Sequence, residues 1–142
     1  MEIDTVHFGK LEVGETEVVR FAGGIAPFVG LHRFVLLSRE DEAPFCWLQS
    51  ADEPALAFVC APVAALFPEQ AEAMRLDPAL AEGERDTAEM LAIVVLAEEP
   101  LRVTANLLAP LVVDFERGEG RQVIRNGELE LCRVAVGKAT AS

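Results

Sequence analysis

Ten short runs rich in Val, Ile, Leu and Phe are set apart by Gly, Pro and charged pairs, and this punctuation confines the chain to β architecture. The runs are Lys10–Val13, Thr16–Phe21, Arg33–Ser38, Phe45–Ser50, Leu56–Ala61, Leu91–Ala97, Val103–Leu108, Leu111–Phe115, Arg121–Arg125 and Glu128–Val134. Glu116–Gly120 (ERGEG) and Asn126-Gly127 lie between strand-like runs and offer the positive-φ positions that hairpins need. Phe45–Leu48 and Leu91–Leu96 are apolar at successive positions, which predicts central strands covered on both faces. Between Pro62 and Glu89 the grammar changes to Ala, Leu, Glu and Met at helical spacing, with Asp77-Pro78 supplying a cap and a proline at a first helical position. The expected fold is mostly β: a small barrel-like or sandwich-like single domain over residues 1–136 with one or two short helices inserted, followed by a flexible tail at 137–142.

A chain of 142 residues with 51% hydrophobic content can bury roughly two-thirds of its unfolded surface in one core. Its longest uncharged stretch, Pro54–Pro68, falls short of the roughly 20 residues that span a bilayer and contains a central proline. Glu2 and Asp4 stand where a signal peptide carries its basic region, so the expected location is the cytoplasm, with no membrane partner. Cys46, Cys60 and Cys132 lack CxxC spacing and read as buried thiols in a reducing compartment.

Charge is concentrated. Residues 40–99 hold fourteen acids against Arg75 and Arg85, so the whole net charge of −12 resides in that segment while the remainder balances. Such a surface repels phosphate backbones, disfavours direct nucleic-acid binding and speeds encounter with basic partners; the plainer reading is a solvated acidic coat.

For catalysis the inventory is thin: His7 and His32 are the two histidines, there is no tyrosine, and no HExxH, GxSxG, GxGxxG or P-loop pattern occurs. Neither a metal-ligand spacing nor a cofactor motif is present, so no metal and no cofactor is expected. The rival from another class is a small β-barrel ligand-binding domain or enzyme whose pocket joins Cys46 or Cys60 to one of the histidines.

Five ordered blocks carry a resemblance. They are Ile3, Thr5, Phe8 and Gly9; Phe21 to Phe28 continued by Leu31-His-Arg-Phe-Val-Leu-Leu; Pro44-Phe-Cys-Trp-Leu-Gln-Ser continued by Asp52-Glu-Pro-Ala-Leu-Ala-Phe; Thr104-Ala-Asn-Leu-Leu-Ala-Pro-Leu-Val-Val; and Gly120-Arg-Gln-Val-Ile. In this order and at these spacings the chain resembles the FliW family of flagellar assembly factors over residues 1–125. It departs from the family at Ala26-Pro27-Phe28, where Pro-Gly-Phe is usual, at Glu69–Thr87, and at its end, Leu131-Cys-Arg-Val-Ala-Val.

The resemblance implies a non-enzymatic regulator that binds newly made flagellin and, when flagellin is scarce, binds and antagonises CsrA, a small RNA-binding repressor of flagellin translation. It further implies inhibition from outside the RNA site; direct mimicry of RNA by the acidic face is equally compatible with −12. The expected CsrA contacts are the acids flanking the matched strands, Glu40, Asp41, Glu42, Asp52 and Glu53. Phe28, Val29 and Leu31 are the expected apolar contact for flagellin. Trp47, Gln49, Asn106 and Pro110 are motif positions that could touch a partner, Trp47 and Asn106 reading more readily as core and as a backbone-satisfying side chain.

Overall fold

A computed structural model of the chain describes residues 1–77, 80, 88–97 and 102–136. Its chain order begins with a hairpin, β1 (Glu2–Thr5) and β2 (Gly9–Glu12). There follow β3 (Val18–Phe21), β4 (Arg33–Ser38), β5 (Cys46–Ser50) and β6 (Ala57–Pro62), then two helices, α1 (Val63–Leu66) and α2 (Pro68–Arg75). The chain returns as β7 (Glu89–Ala97), β8 (Arg102–Asp114), β9 (Glu119–Gln122) and the two-residue β10 (Val134–Ala135).

Strands β3 to β9 close into a seven-stranded barrel. Each of β3 to β8 pairs antiparallel with the next, β9 pairs antiparallel with β8, and a short parallel pairing of β9 with β3 completes the circle. At that closure Phe21 lies opposite Gly120, and a Cβ on Gly120 would stand 2.7 Å from the Phe21 ring; a bare α-carbon is what admits the buried phenyl group. The β8–β9 turn contains Gly118 at φ 67°, as the ERGEG pattern predicts.

Period-two alternation divides the apolar residues into layers. Phe21, Phe34, Leu48, Cys60, Leu91, Leu111 and Val113 fill the barrel. On the outer face of β6, β7 and β8, Ala61, Met90, Ala92, Val94, Ala105 and Val112 pack under Val63, Ala71 and Met74 of the helices. Pro68 at the first turn of α2 fixes where that helix starts, and fully burying Met74 contributes roughly 1.5–3 kcal/mol. The N-terminal hairpin covers the other outer face, where Ile3 and Val13 meet Val35 of β4. The run Phe45–Leu48 is therefore apolar on both sides for the predicted reason: Cys46 and Leu48 point inward, and Trp47 lies against Phe8 with ring centroids 5.4 Å apart.

Several expectations are corrected. Val103–Leu108 and Leu111–Phe115 are one strand, β8, because a bulge rather than a turn joins them: the register passes from Leu91↔Leu111 to Ile93↔Asn106. Thr16–Phe21 begins with a 3₁₀ turn over Glu15–Glu17, and Glu2–Thr5 is an additional strand. The predicted strand Glu128–Val134 is mostly a 3₁₀ turn, Leu129–Arg133. Asn126-Gly127 makes no positive-φ hairpin; a Cβ on Gly127 would meet Leu131 Cδ1 at 2.6 Å, so this glycine permits close packing of that turn. Glu89 belongs to β7 rather than to the helical middle, opposite Val113. Leu91–Leu96 is covered on both faces only at its start, since Val95 and Leu96 are 58% and 59% exposed. Pro78 and the expected tail at 137–142 lie outside the described residues.

Candidate partner-binding surfaces

The barrel separates residues that the sequence places side by side. The β4–β5 connection carries Glu40, Asp41 and Glu42 as a 3₁₀ turn, whereas Asp52 and Glu53 lie on the β5–β6 turn. These turns stand at opposite ends of β5, roughly 16 Å apart for five residues of extended strand. The five acids thus form two clusters.

Within the first cluster Glu40 and Asp41 are exposed. Glu42 is half-buried, with one carboxylate oxygen shielded from solvent 4.0 Å from Arg39 Nε. Arg39 in turn stands 5.9 Å from the centroid of the Phe8 ring, which meets Trp47 edge-on, so the turn is tied to the N-terminal hairpin. Trp47 is half-buried and serves as the platform for this end.

In the second cluster Asp52 is already engaged. Arg33 donates from Nε to both carboxylate oxygens at 3.2 and 3.3 Å, with Nη2 also on Oδ1. The hydrogen bond from Arg33 holds the Asp52 carboxyl below the usual carboxylate range. Ser50 Oγ accepts the Asp52 and Glu53 N–H groups, which fixes the turn and leaves the Glu53 side chain exposed. Gln49 is fully buried and donates from Nε2 to the carbonyls of Ser50 and Pro54 at 3.0 and 3.3 Å; its reach is internal.

Phe28, Val29 and Leu31 occupy the β3–β4 loop, at the same end as Asp52 and Glu53. The loop is anchored by Ile25, buried in the barrel, by Phe28 N–H on the Ile25 carbonyl at 2.6 Å, and by Ala26 N–H on Gln122 Oε1 at 2.9 Å. Anchored this way it presents Phe28, 40% exposed and edge-on to Phe58, and Val29, 61% exposed; Leu31 is half-buried.

Asn106 and Pro110 build the β8 bulge. Asn106 Oδ1 accepts the N–H groups of Leu108 and Ala109, both at 3.0 Å, and the carbonyl of buried Pro110 accepts Val123 N–H at 2.9 Å. Arg125 closes the same region: its backbone N–H bonds Leu108 O, Nη1 bonds Leu107 O, and Nε reaches Asp77 at 2.9 Å. The Thr104–Pro110 block is thus a structural hub.

The cysteine pocket loses its chemical basis. Cys46 and Cys60 face each other across β5 and β6 inside the barrel, and burial raises both thiol pKa values, that of Cys46 to about 11. A nucleophile requires the reverse shift. His7 and His32 have their ring nitrogens on the carbonyls of Ala55 and Phe21. Cys132 is half-buried rather than buried. Among the described residues no group of three metal-ligating side chains occurs, and no helix is long and apolar enough to cross a membrane.

One surface feature escaped the sequence reading. Val95 and Leu96 project from the end of β7, and the run of apolar letters around them gives no sign of where burial stops.

Comparison with known proteins agrees with the fold. A family model described as FliW protein matches residues 2–133. The flagellar assembly factor FliW of Geotalea uraniireducens (strain Rf4) is 40% identical over 136 residues, spanning 90% of this chain and 79% of that protein. The one from Leptospira interrogans serogroup Icterohaemorrhagiae serovar copenhageni (strain Fiocruz L1-130) is 31% identical over 144 residues, spanning 99% and 96%. A crystal structure of the flagellar assembly factor FliW superposes with a TM-score of 0.76 at 32% identity, covering 95% of this chain and 94% of that one.

Proposed function

The chain belongs to the FliW family, and we propose that it works as a cytoplasmic flagellar assembly factor that exchanges two protein partners without converting a substrate. Flagellin occupies the apolar end of the barrel around Phe28 and Val29. When flagellin is scarce, CsrA takes the freed protein through the acidic turn Glu40–Glu42 and is withdrawn from its messenger. Neither nucleic acid nor membrane takes part.

The observation that carries this reading is the polarity of the barrel. One rigid scaffold exposes an acidic turn at one end of β4 and a braced apolar loop at the other. The acidic turn suits a basic regulator and speeds its encounter. The exposed phenyl and isopropyl groups suit an assembly surface that would self-associate if left uncovered.

Where the two partners bind one at a time, free flagellin lowers the fraction of chain available to CsrA by mass action.

The two ends are separable by substitution. Glu40→Lys with Asp41→Lys slows association with CsrA, flattens its salt dependence and leaves flagellin binding intact. Phe28→Asp with Val29→Asp does the opposite. If both pairs of substitutions impair both partners equally, the assignment of ends is wrong.

A further inference from the structure

Strand β7 outruns its neighbour. On the β6 side its pairing ends at Cys60↔Ile93, while on the β8 side it continues through Val94↔Ala105 and Leu96↔Val103 to Ala97↔Arg102. Strand β6 itself goes on pairing with β5 as far as Ala57. The two strands therefore part beyond Ile93, and no described strand pairs with the β6-facing edge of Val94–Ala97. Continuing the register would set Phe58 opposite Val95, yet no ladder joins them.

Such an edge offers a row of main-chain N–H and C=O groups at alternate residues. Its side chains are apolar on both faces: Val95 continues the inward series Leu91 and Ile93, and Leu96 the outward series Ala92 and Val94, both more than half exposed. Natural edges are commonly blunted by lysine, proline or a bulge, and Val94–Ala97 has none of these on β7. Phe58, in edge-on contact with exposed Phe28, borders the same opening.

We propose that this edge receives an extended segment of a partner protein, which adds as a short strand to β7 and inserts apolar side chains at alternate positions beside Phe58. The charge around the opening selects what flanks that segment. Glu53 is exposed on the β5–β6 turn at this end, so lysine or arginine beside the inserted residues is favoured. A second copy of this chain, with its own net charge of −12, is the poorer occupant. Main-chain pairing supplies affinity and alternate pockets supply selectivity, as in other strand-addition complexes. This inference rests on the reading of flagellin as the partner at the apolar end, and it specifies how that partner is held.

The test is amide hydrogen exchange on the full chain alone and with purified monomeric flagellin, complex formation being scored separately by size-exclusion chromatography. Slowing of exchange in 94–97 by about tenfold or more on complex formation is the expected result. Val95→Lys and Leu96→Lys, which keep the β8 pairing, are expected to weaken the complex by about tenfold or more. A complex that forms with exchange in 94–97 unchanged overturns strand addition and leaves the partner assignment standing. Absence of any complex overturns the partner assignment and this inference with it.

Discussion

Arg33 on β4 grips Asp52 on the β5–β6 turn through Nε and Nη2, so one of the five acids flanking the matched strands is neutralised within the chain. Since the Arg33 hydrogen bond lowers the Asp52 pKa, its stabilisation is present above the unfolded carboxylate value of about 3.9 and is lost as pH falls through the lower folded value. Asp52→Asn is therefore expected to lower stability at pH 7 by no more than about 1 kcal/mol, because the pair is exposed to solvent. In urea titrations the gap between wild type and variant should close as pH drops below about 4, and CsrA association should stay near wild type. A gap that widens with acidification would contradict the assignment.

Asn106→Ala removes the single oxygen that accepts both the Leu108 and Ala109 N–H groups at the β8 bulge. Leaving them unpaired costs about 1–3 kcal/mol. The expected outcome is a lower urea midpoint with an unchanged slope, and intact partner binding under conditions where the variant is folded. Loss of binding with full stability would instead make Asn106 a contact residue.

Strands such as β4 and β5 were legible because short continuous apolar runs, Phe34–Leu37 and Phe45–Leu48, are bounded by polar, charged and proline residues. The continuity of β8 was hidden, since Pro110 breaks the pattern locally and the strand is held across the bulge by side chains, Asn106 and Arg125, whose reach no local pattern reports. Asn126-Gly127 has the letters of a hairpin, but its glycine answers to Leu131, a packing demand no dipeptide reports. β1 was missed because Ile3 and Thr5 form too short a run to register until paired with Leu11 and Gly9. For the candidate site, the residue types were legible and their grouping was not. Glu42 and Asp52 are ten positions apart, yet the strand between them puts them at opposite ends of the barrel.

Asp77 and Arg125 join the segment after α2 to the segment after β9, with the side chains 14% and 13% exposed and Nε to Oδ2 at 2.9 Å. Removing one partner from a pair this shielded costs more than removing a surface charge. Arg125→Met should lower stability by about 3 kcal/mol, partly through the lost bond to Leu107 O. Arg125→Met combined with Asp77→Leu should recover part of that loss in chemical denaturation. Equal destabilisation by the single and double variants would show the ion pair itself to be unimportant.

Burial raises the Cys46 pKa to about 11 and pushes the Cys60 thiol up as well, which keeps both thiols protonated at pH 8. Half-buried Cys132 is the accessible member of the three. Ellman's reagent should therefore titrate one thiol in the native protein and all three in guanidinium chloride. Rapid native reaction of Cys46 or Cys60 would revive the cysteine pocket.

Partner exchange at a single barrel is the central event of the proposed function. Adding monomeric flagellin stepwise to a preformed complex of this chain with fluorescently labelled CsrA should release CsrA fully, at one flagellin per chain, with the messenger-binding activity of CsrA returning in step. A stable ternary complex, or CsrA that never binds the chain, would contradict it.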